Sequence, residues 1–268
     1  MIPRIIHYCW FGRGEMPELV QTCIASWRTH MPNWEYKLWN EETITQFIQQ
    51  ELMPGQNSPS FRKGVGVGLV VNWLDYMPKY VQEAYSAKKY AFVSDYVRLW
   101  ALEREGGLYM DVDFEVYKPF DDLMEQYDAF VGYEGSKKNP VMMGVLSAKA
   151  HHPWIQGMLA TYENRNFLKE DGSYDMTPNT GYFYEWMTKQ GFVANGVEKD
   201  WNGVHILPVD YFCPGLTTGE NVRSENTYCE HKGLHSWSGN GGWKATLLNM
   251  FPQSIKIRLI KLKRIILK

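Results

Sequence analysis

Two acids stand one residue apart in "GGLYMDVDFEVYKP", residues 106–119: Asp111 and Asp113. The run "LYMDVDFEVY" reads as one strand, on which residues two apart share a face. Asp111 and Asp113 would then project side by side, with Val112 and Phe114 directed to the other face. Carboxylates held that close repel unless a cation or a hydrogen-bond donor lies between them. The pair therefore asks for a ligand.

A second pair precedes it. In "AKKYAFVSDYVRLWALEREGG", Asp95 and Arg98 are three apart, with Leu99 and Leu102 at helical spacing and Gly106-Gly107 as the stop signal. A helix running into a glycine turn and then into the acidic strand would bring all four side chains to one cleft. Arginine suits a diphosphate and aspartate a sugar hydroxyl. Two hard oxygen ligands beside an arginine suit Mg²⁺ or Mn²⁺ held together with a diphosphate. An EF-hand loop fails, because Glu115 is followed by Val116 where that pattern needs glycine. An aspartyl phosphohydrolase using Asp111 fits poorly, since the lysine and further acids of such a site are not evident.

The elements that must position these residues alternate. "PRIIHYCW" is an apolar strand entering the Phe11-Gly12 turn, and "PELVQTCIASWRTHMP" has helical spacing. "WEYKLWN" alternates as a strand, and "EETITQFIQQELM" is helical. Further strands fall in "DAFVGYE", "PVMMGVLSAK" and "GVHILPVDYFCP", with a helix in "HPWIQGMLATYENR". This order predicts an α/β fold with parallel strands. The glycines at 64, 66 and 68 lack both phosphate-loop patterns and read as an insertion.

Composition narrows the class. The 268 residues are 44% hydrophobic and 22% charged, ordinary for a globular chain. Aromatics reach 15%, enough for a sugar- or base-stacking cleft, a Trp-rich core or a non-catalytic glycan-binding surface. A net charge of −2 carries no nucleic-acid signature. Four cysteines without a CxxC pair read as free thiols of a reducing compartment. The opening "MIPRIIHYCWFG" lacks signal-peptide features, which sets the expectation of a cytoplasmic protein. The tail "SIKIRLIKLKRIILK" carries six cations and no acid, and the net charge falls to −8 without them. As a helix it places Ile255, Leu259, Leu262 and Ile266 on one stripe. That stripe suits either packing on the body or peripheral attachment to a membrane. The expected division is residues 1–250 as one domain and 251–268 as a basic tail.

The block "AFVSDYVRLWALEREGGLYMDVDFEVYKPFDDL" resembles glycosyltransferase family 32, the DXD sugar-binding transferases of bacterial surface polysaccharides, distantly similar to the glucosylating clostridial toxins. "IPRIIHYCWFG", "WEYKLWNEE", "HPWIQGML" and "ILPVDYFCP" resemble other stations of that family. The resemblance implies a GT-A-type fold with a mixed, mainly parallel sheet and helical excursions. It implies a retaining, divalent-metal-dependent transfer of a hexose from a UDP-sugar to an acceptor glycan, lipid-linked in surface polysaccharide synthesis. Asp113 would bind Mn²⁺ or Mg²⁺ directly, and Asp111 would contact ribose and help hold the metal site. Trp10 would stack on the uracil, while Asp95 and Arg98 hold the donor sugar and its phosphate side. Asn139 would contact the sugar, and Ser236 and Trp237 the donor. In "HKGLHSWSG" either His231 or His235 would complete the shell of the ion, His231 having the family's spacing to Ser236.

Overall fold

The computed structural model describes residues 1–52, 71–135, 141–214 and 223–233. Strand β1 (Ile5–Cys9) leads to helix α1 (Glu18–His30), strand β2 (Glu35–Trp39) and helix α2 (Glu41–Leu52). Helices α3 (Lys79–Ser86) and α4 (Tyr90–Glu105) then precede strands β3 (Gly107–Met110) and β4 (Phe114–Val116). Helix α5 (Asp121–Gln126), strands β5 (Ala129–Tyr133) and β6 (Val141–Ala148), and helices α6 (Pro153–Ala160) and α7 (Asn179–Lys189) follow. Strands β7 (Lys199–Trp201), β8 (Val204–Leu207) and β9 (Cys229–His231) close the series.

Among the described residues seven strands form one sheet in the order β2-β1-β3-β6-β5-β8-β7. β1 is parallel to β2 and β3, and β5 is parallel to β8; β6 and β7 run against their neighbours. This is the mixed, mainly parallel sheet with helical excursions expected of a GT-A-type fold. Strands β4 and β9 stand apart as a two-stranded antiparallel sheet.

The inner strands β3, β5, β6 and β8 are buried along their whole length, as strands covered on both faces are, whereas the edge strands β2 and β7 carry charged residues. Tyr109 of β3 joins the core beneath α4, with Val97, Leu99 and Trp100. Its neighbours Leu108 and Met110 join the opposite core, with Trp27, Phe114 and Phe212. The four cysteines are buried and unpaired.

The turn between α4 and β3 sets the register of the acidic segment. Gly106 and Gly107 have φ of +64° and +114°, the left-handed region that favours glycine. A Cβ on Gly107 would lie 2.7 Å from the Ile5 carbonyl oxygen and 3.0 Å from His7 Nε2. His7 is fully buried; its Nε2 bonds the Gly106 carbonyl at 2.7 Å, and its Nδ1 accepts from Trp39 Nε1 at 3.0 Å. Those two bonds select the neutral tautomer protonated on Nε2. Burial pushes the His7 pKa down to about 4, in keeping with that neutral ring.

Candidate active site

α4 and β3 build the first half of the site. Asp95 and Arg98 lie one turn apart on α4, and Arg98 Nη2 donates to Asp95 Oδ1 at 2.8 Å. The same nitrogen is 3.4 Å from Asp111 Oδ1, while Nη1 donates to the Met143 carbonyl on β6. The guanidinium sits over the Tyr109 ring, 4.7 Å from its centroid. Strand alternation explains the meeting: Tyr109 faces α4, and Asp111, two residues on, continues that face. Tyr109 Oη donates to Asp111 Oδ1 at 2.8 Å. Only 5% of the Arg98 side chain is exposed, so the cation is fixed by its partners rather than by water.

Burial governs the ionisation here. It raises the Asp95 pKa to about 6, against the opposing charge of Arg98. Burial also raises Asp111, again opposed by Arg98. For Arg98 burial works toward neutrality, but Asp111, Tyr109 and Asp95 outweigh it and hold the group above its ordinary value.

The second half corrects the expectation of one continuous strand. β3 ends at Met110, and residues 111–113 form a turn before β4. The Asp111 N–H still bonds the Gly144 carbonyl of β6 at 2.8 Å, and the Asp111 carbonyl then accepts from the Phe114 N–H at 3.2 Å. Asp111 and Asp113 are therefore not alternate residues of one strand, although both line the same cleft. Val112 and Phe114 likewise do not point away together, because residues 111 to 114 all line the same cleft. The physical reason is the change of partner, from β6 for β3 to β9 for β4.

That exchange brings in His231. Phe114 pairs with His231 across the small sheet, and their rings stack at 4.8 Å. His231 Nε2 lies 3.0 Å from Asp113 Oδ2, and the Lys232 N–H donates to the Asp113 carbonyl at 2.8 Å. Burial draws the His231 pKa down, but the hydrogen bond and charge of Asp113 outweigh it and hold the ring above its usual value.

A cleft of about 640 Å³ joins the halves, lined by Asp95, Arg98, Asp111, Asp113, His231 and Trp10 among others. Trp10 follows β1 and is half-buried, its indole N–H donating to the Gly14 carbonyl at 2.6 Å. The six sequence-predicted site residues that the structure describes thus share one cavity. Asn139, His235, Ser236, Trp237 and the tail lie outside the described residues, as does the division at residue 250.

Sequence reasoning missed three contributors. Tyr109 was legible as the residue two before Asp111. Gly144 was not: a Cβ there would lie 2.8 Å from the Phe114 ring and 3.0 Å from Asp111 Oδ2, so glycine makes room for the acidic turn. Glu134, just after β5, also lines the cleft, with Oε2 buried and without a partner among the described residues. Burial raises its pKa. Its only sequence signal was an acid at a strand end.

The donor set fits a hard divalent cation bound jointly with substrate. Asp113 Oδ2 and His231 Nε2, 3.0 Å apart, are an oxygen and a nitrogen that would serve as adjacent ligands. Among the described residues no group of three His, Cys, Asp or Glu side chains converges as a cage. Mg²⁺-type sites commonly use one or two protein ligands, with water and phosphate oxygens supplying the rest.

Residues 17–130 match the family described as "Glycosyltransferase sugar-binding region containing DXD motif". Over that stretch the chain is similar to this family. The match covers α1 through the first two residues of β5, and so includes Asp95, Arg98, Asp111 and Asp113. Trp10, Glu134 and His231 lie beyond it. The chain is 27% identical over 128 residues to inositol phosphoceramide mannosyltransferase 1 of Schizosaccharomyces pombe, an alignment covering 47% of this chain and 32% of that protein. It is 24% identical over 247 residues to the uncharacterized glycosyltransferase L373 of Acanthamoeba polyphaga mimivirus, covering 89% and 84%. The chain thus spans about a third of the yeast relative and most of the viral one. Among solved structures it is similar to the galactosyltransferase LgtC in complex with donor and acceptor sugar analogs, with 12% identity, 88% and 92% coverage and a TM-score of 0.45.

Proposed function

We propose that the chain is a retaining, metal-dependent glycosyltransferase that moves a hexose from a UDP-sugar to an acceptor glycan. The observation that carries this reading is that Asp111 and Asp113 line one cleft with different partners. Asp111 is bonded on its Oδ1 side to the Arg98–Tyr109 pair, and Asp113 to His231. That arrangement suits a ligand with a cation-neutralised diphosphate and a hydroxyl-rich sugar.

Each side chain then has a role. Asp113 and His231 would hold Mn²⁺ or Mg²⁺, with Asp111 close by and its Oδ2 directed to ribose. The ion, when bound, supplies a Lewis acid against the charge that grows on the leaving diphosphate. Arg98, dry and fixed, adds a preorganised positive charge that needs no reorganisation during the reaction. Asp95 accepts hydroxyl hydrogen bonds from the donor sugar, and Trp10 stacks on the base. A screen of UDP-sugar hydrolysis with and without Mn²⁺ tests the reading. Hydrolysis that requires Mn²⁺ and a UDP-sugar supports it. Release of phosphate from simple esters would mean a phosphohydrolase, and sugar binding without turnover a glycan-binding protein.

The acceptor in this reading is lipid-linked and belongs to surface polysaccharide synthesis, on the cytoplasmic side of a membrane. Its support is the six-cation tail, because each basic side chain near an anionic bilayer contributes about 1 kcal/mol. No helix among the described residues is long and apolar enough to cross a membrane. Deleting residues 254–268 should abolish sedimentation with anionic vesicles while UDP-sugar hydrolysis continues. A truncated chain that still sediments, or that unfolds, refutes the membrane role.

A further inference from the structure

The first turn of α7 forms part of the cleft wall: Pro178, Asn179 and Thr180 all line it. α7 is 11 residues long, and no side chain caps its N-terminus. Its first backbone bond there runs from the Tyr182 N–H to the Pro178 carbonyl at 3.1 Å, which leaves the earlier N–H groups without helical acceptors. Those groups carry the positive end of the helix dipole.

An independent observation points the same way. Asn179 is only 7% exposed, yet its side-chain Nδ2 is buried without a hydrogen-bond partner among the described residues. A buried amide donor in a native protein ordinarily has an acceptor, so an orphan beside a cleft marks a place for a bound oxygen. Nδ2 lies just beneath the cleft wall that Asn179 lines, so a rotation of the side-chain amide is what would present it to a ligand oxygen. Lys88 and Lys89 line the same cleft and add positive charge.

The polar groups of this turn therefore offer donors, whereas Asp95, Asp111, Asp113 and Glu134 offer acceptors. The donor diphosphate is already matched by Arg98 and the cation ligands, so an anion at α7 is a second one. We propose that the first turn of α7 is an acceptor-side subsite for an anionic group, a phosphate or carboxylate carried by the acceptor sugar. Asn179 Nδ2 and the leading N–H groups of α7 donate to its oxygens, as helix N-termini do to anions elsewhere. This deepens the transferase reading and rests on it, but its test is a binding measurement that needs no turnover.

The test uses the whole chain saturated with Mn²⁺ and UDP, titrated calorimetrically with glucose, glucose 6-phosphate and glucuronate. At least one charged sugar should bind about tenfold or more tighter than glucose, as charge-assisted hydrogen bonds imply. The tighter of the two identifies the anion as phosphate or carboxylate. Asn179→Asp keeps the size and adds a like charge; it should remove that preference while glucose affinity stays within about threefold. Equal binding of all three sugars overturns the proposal, and so does equal loss of charged and neutral sugars in the variant. Displacement of the charged sugar by UDP also overturns it, by assigning α7 to the donor diphosphate. If the variant does not fold, the three-sugar comparison on the natural chain decides alone. A chain that binds no UDP refutes the transferase reading instead, and the same comparison without UDP still tests α7.

Discussion

The two halves of the cleft are built in opposite ways. On the α4–β3 side, Asp95, Arg98, Tyr109 and Asp111 lie within 17 residues of sequence, and their bonds radiate from one buried guanidinium. On the β4–β9 side, Asp113 and His231 are 118 residues apart and meet over a ladder of three residue pairs. The first half draws its rigidity from a 16-residue helix packed on the main sheet. The second depends on a small sheet and on one ring stack, His231 on Phe114. Charge fixed by local packing and charge assembled from distant segments should fail differently when disturbed.

The largest effect is expected on the local side. Arg98→Ala leaves Asp95 and Asp111 without their shared cation, and breaking a buried pair in this way costs about 3–5 kcal/mol. Thermal unfolding should therefore show a clearly lowered midpoint together with lost donor binding. A variant as stable as the natural chain would mean that the guanidinium is not the hub of that half.

Asp113→Ala should separate function from fold. Calorimetry is expected to show Mn²⁺-dependent UDP binding abolished, and the rate of UDP-sugar hydrolysis should fall by about 10²–10³ or more. The unfolding midpoint should move much less than for Arg98→Ala. Unchanged Mn²⁺/UDP affinity in this variant would sink the metal assignment. His231→Ala sharpens the contrast further, because it should weaken Mn²⁺ binding without touching Asp95 or Arg98.

Trp10 belongs to neither half, standing where β1 meets the cleft. Base stacking is worth about 1–3 kcal/mol, so Trp10→Ala should weaken UDP binding by roughly ten- to a hundredfold, and Trp10→Phe should recover much of that. Equal weakening by both variants, or by neither, would make Trp10 a packing residue.

The smallest effect is a pH dependence confined to the α4 side. Burial holds the Asp95 pKa at about 6, above its ordinary value. The folded state thus binds this proton more tightly than the unfolded chain, and the Asp95 contribution to stability declines as pH rises toward 6. Donor binding should run the other way, since a carboxylate accepts sugar hydroxyls better than a protonated acid. UDP-sugar affinity should fall as pH drops through about 6, and Asp95→Asn should flatten that step. A step that survives in Asp95→Asn belongs to another group.

The same contrast explains what could be read from the sequence. Strands β1, β2, β3, β5, β6 and β8 and helices α1, α2, α4 and α6 follow from periodicity, whereas β7, α3, α5 and α7 did not; Asp95, Arg98 and Asp111 follow from spacing, because their partners are a turn or a strand away. The β3–β4 break did not follow. "LYMDVDFEV" alternates without interruption, and no local pattern records that one part pairs with β6 and the next with β9. His231 came from family spacing alone, since nothing near it announces a partner 118 residues earlier. Glu134 and Asn179 look like ordinary loop and helix-start residues, and only burial without a partner distinguishes them.

The three-pair ladder between β4 and β9 also has a consequence for synthesis. Strands β1, β2, β3 and β6 are available once Ala148 has left the ribosome, so the Arg98 half can pack early. At elongation rates of about 5–20 residues per second, His231 follows roughly 4–16 s later. Until then a nascent chain holds Asp113 without its imidazole partner. On the proposed reading, the pair of side chains that would hold the cation is therefore complete only after β9 has emerged, later than the Arg98 half of the cleft.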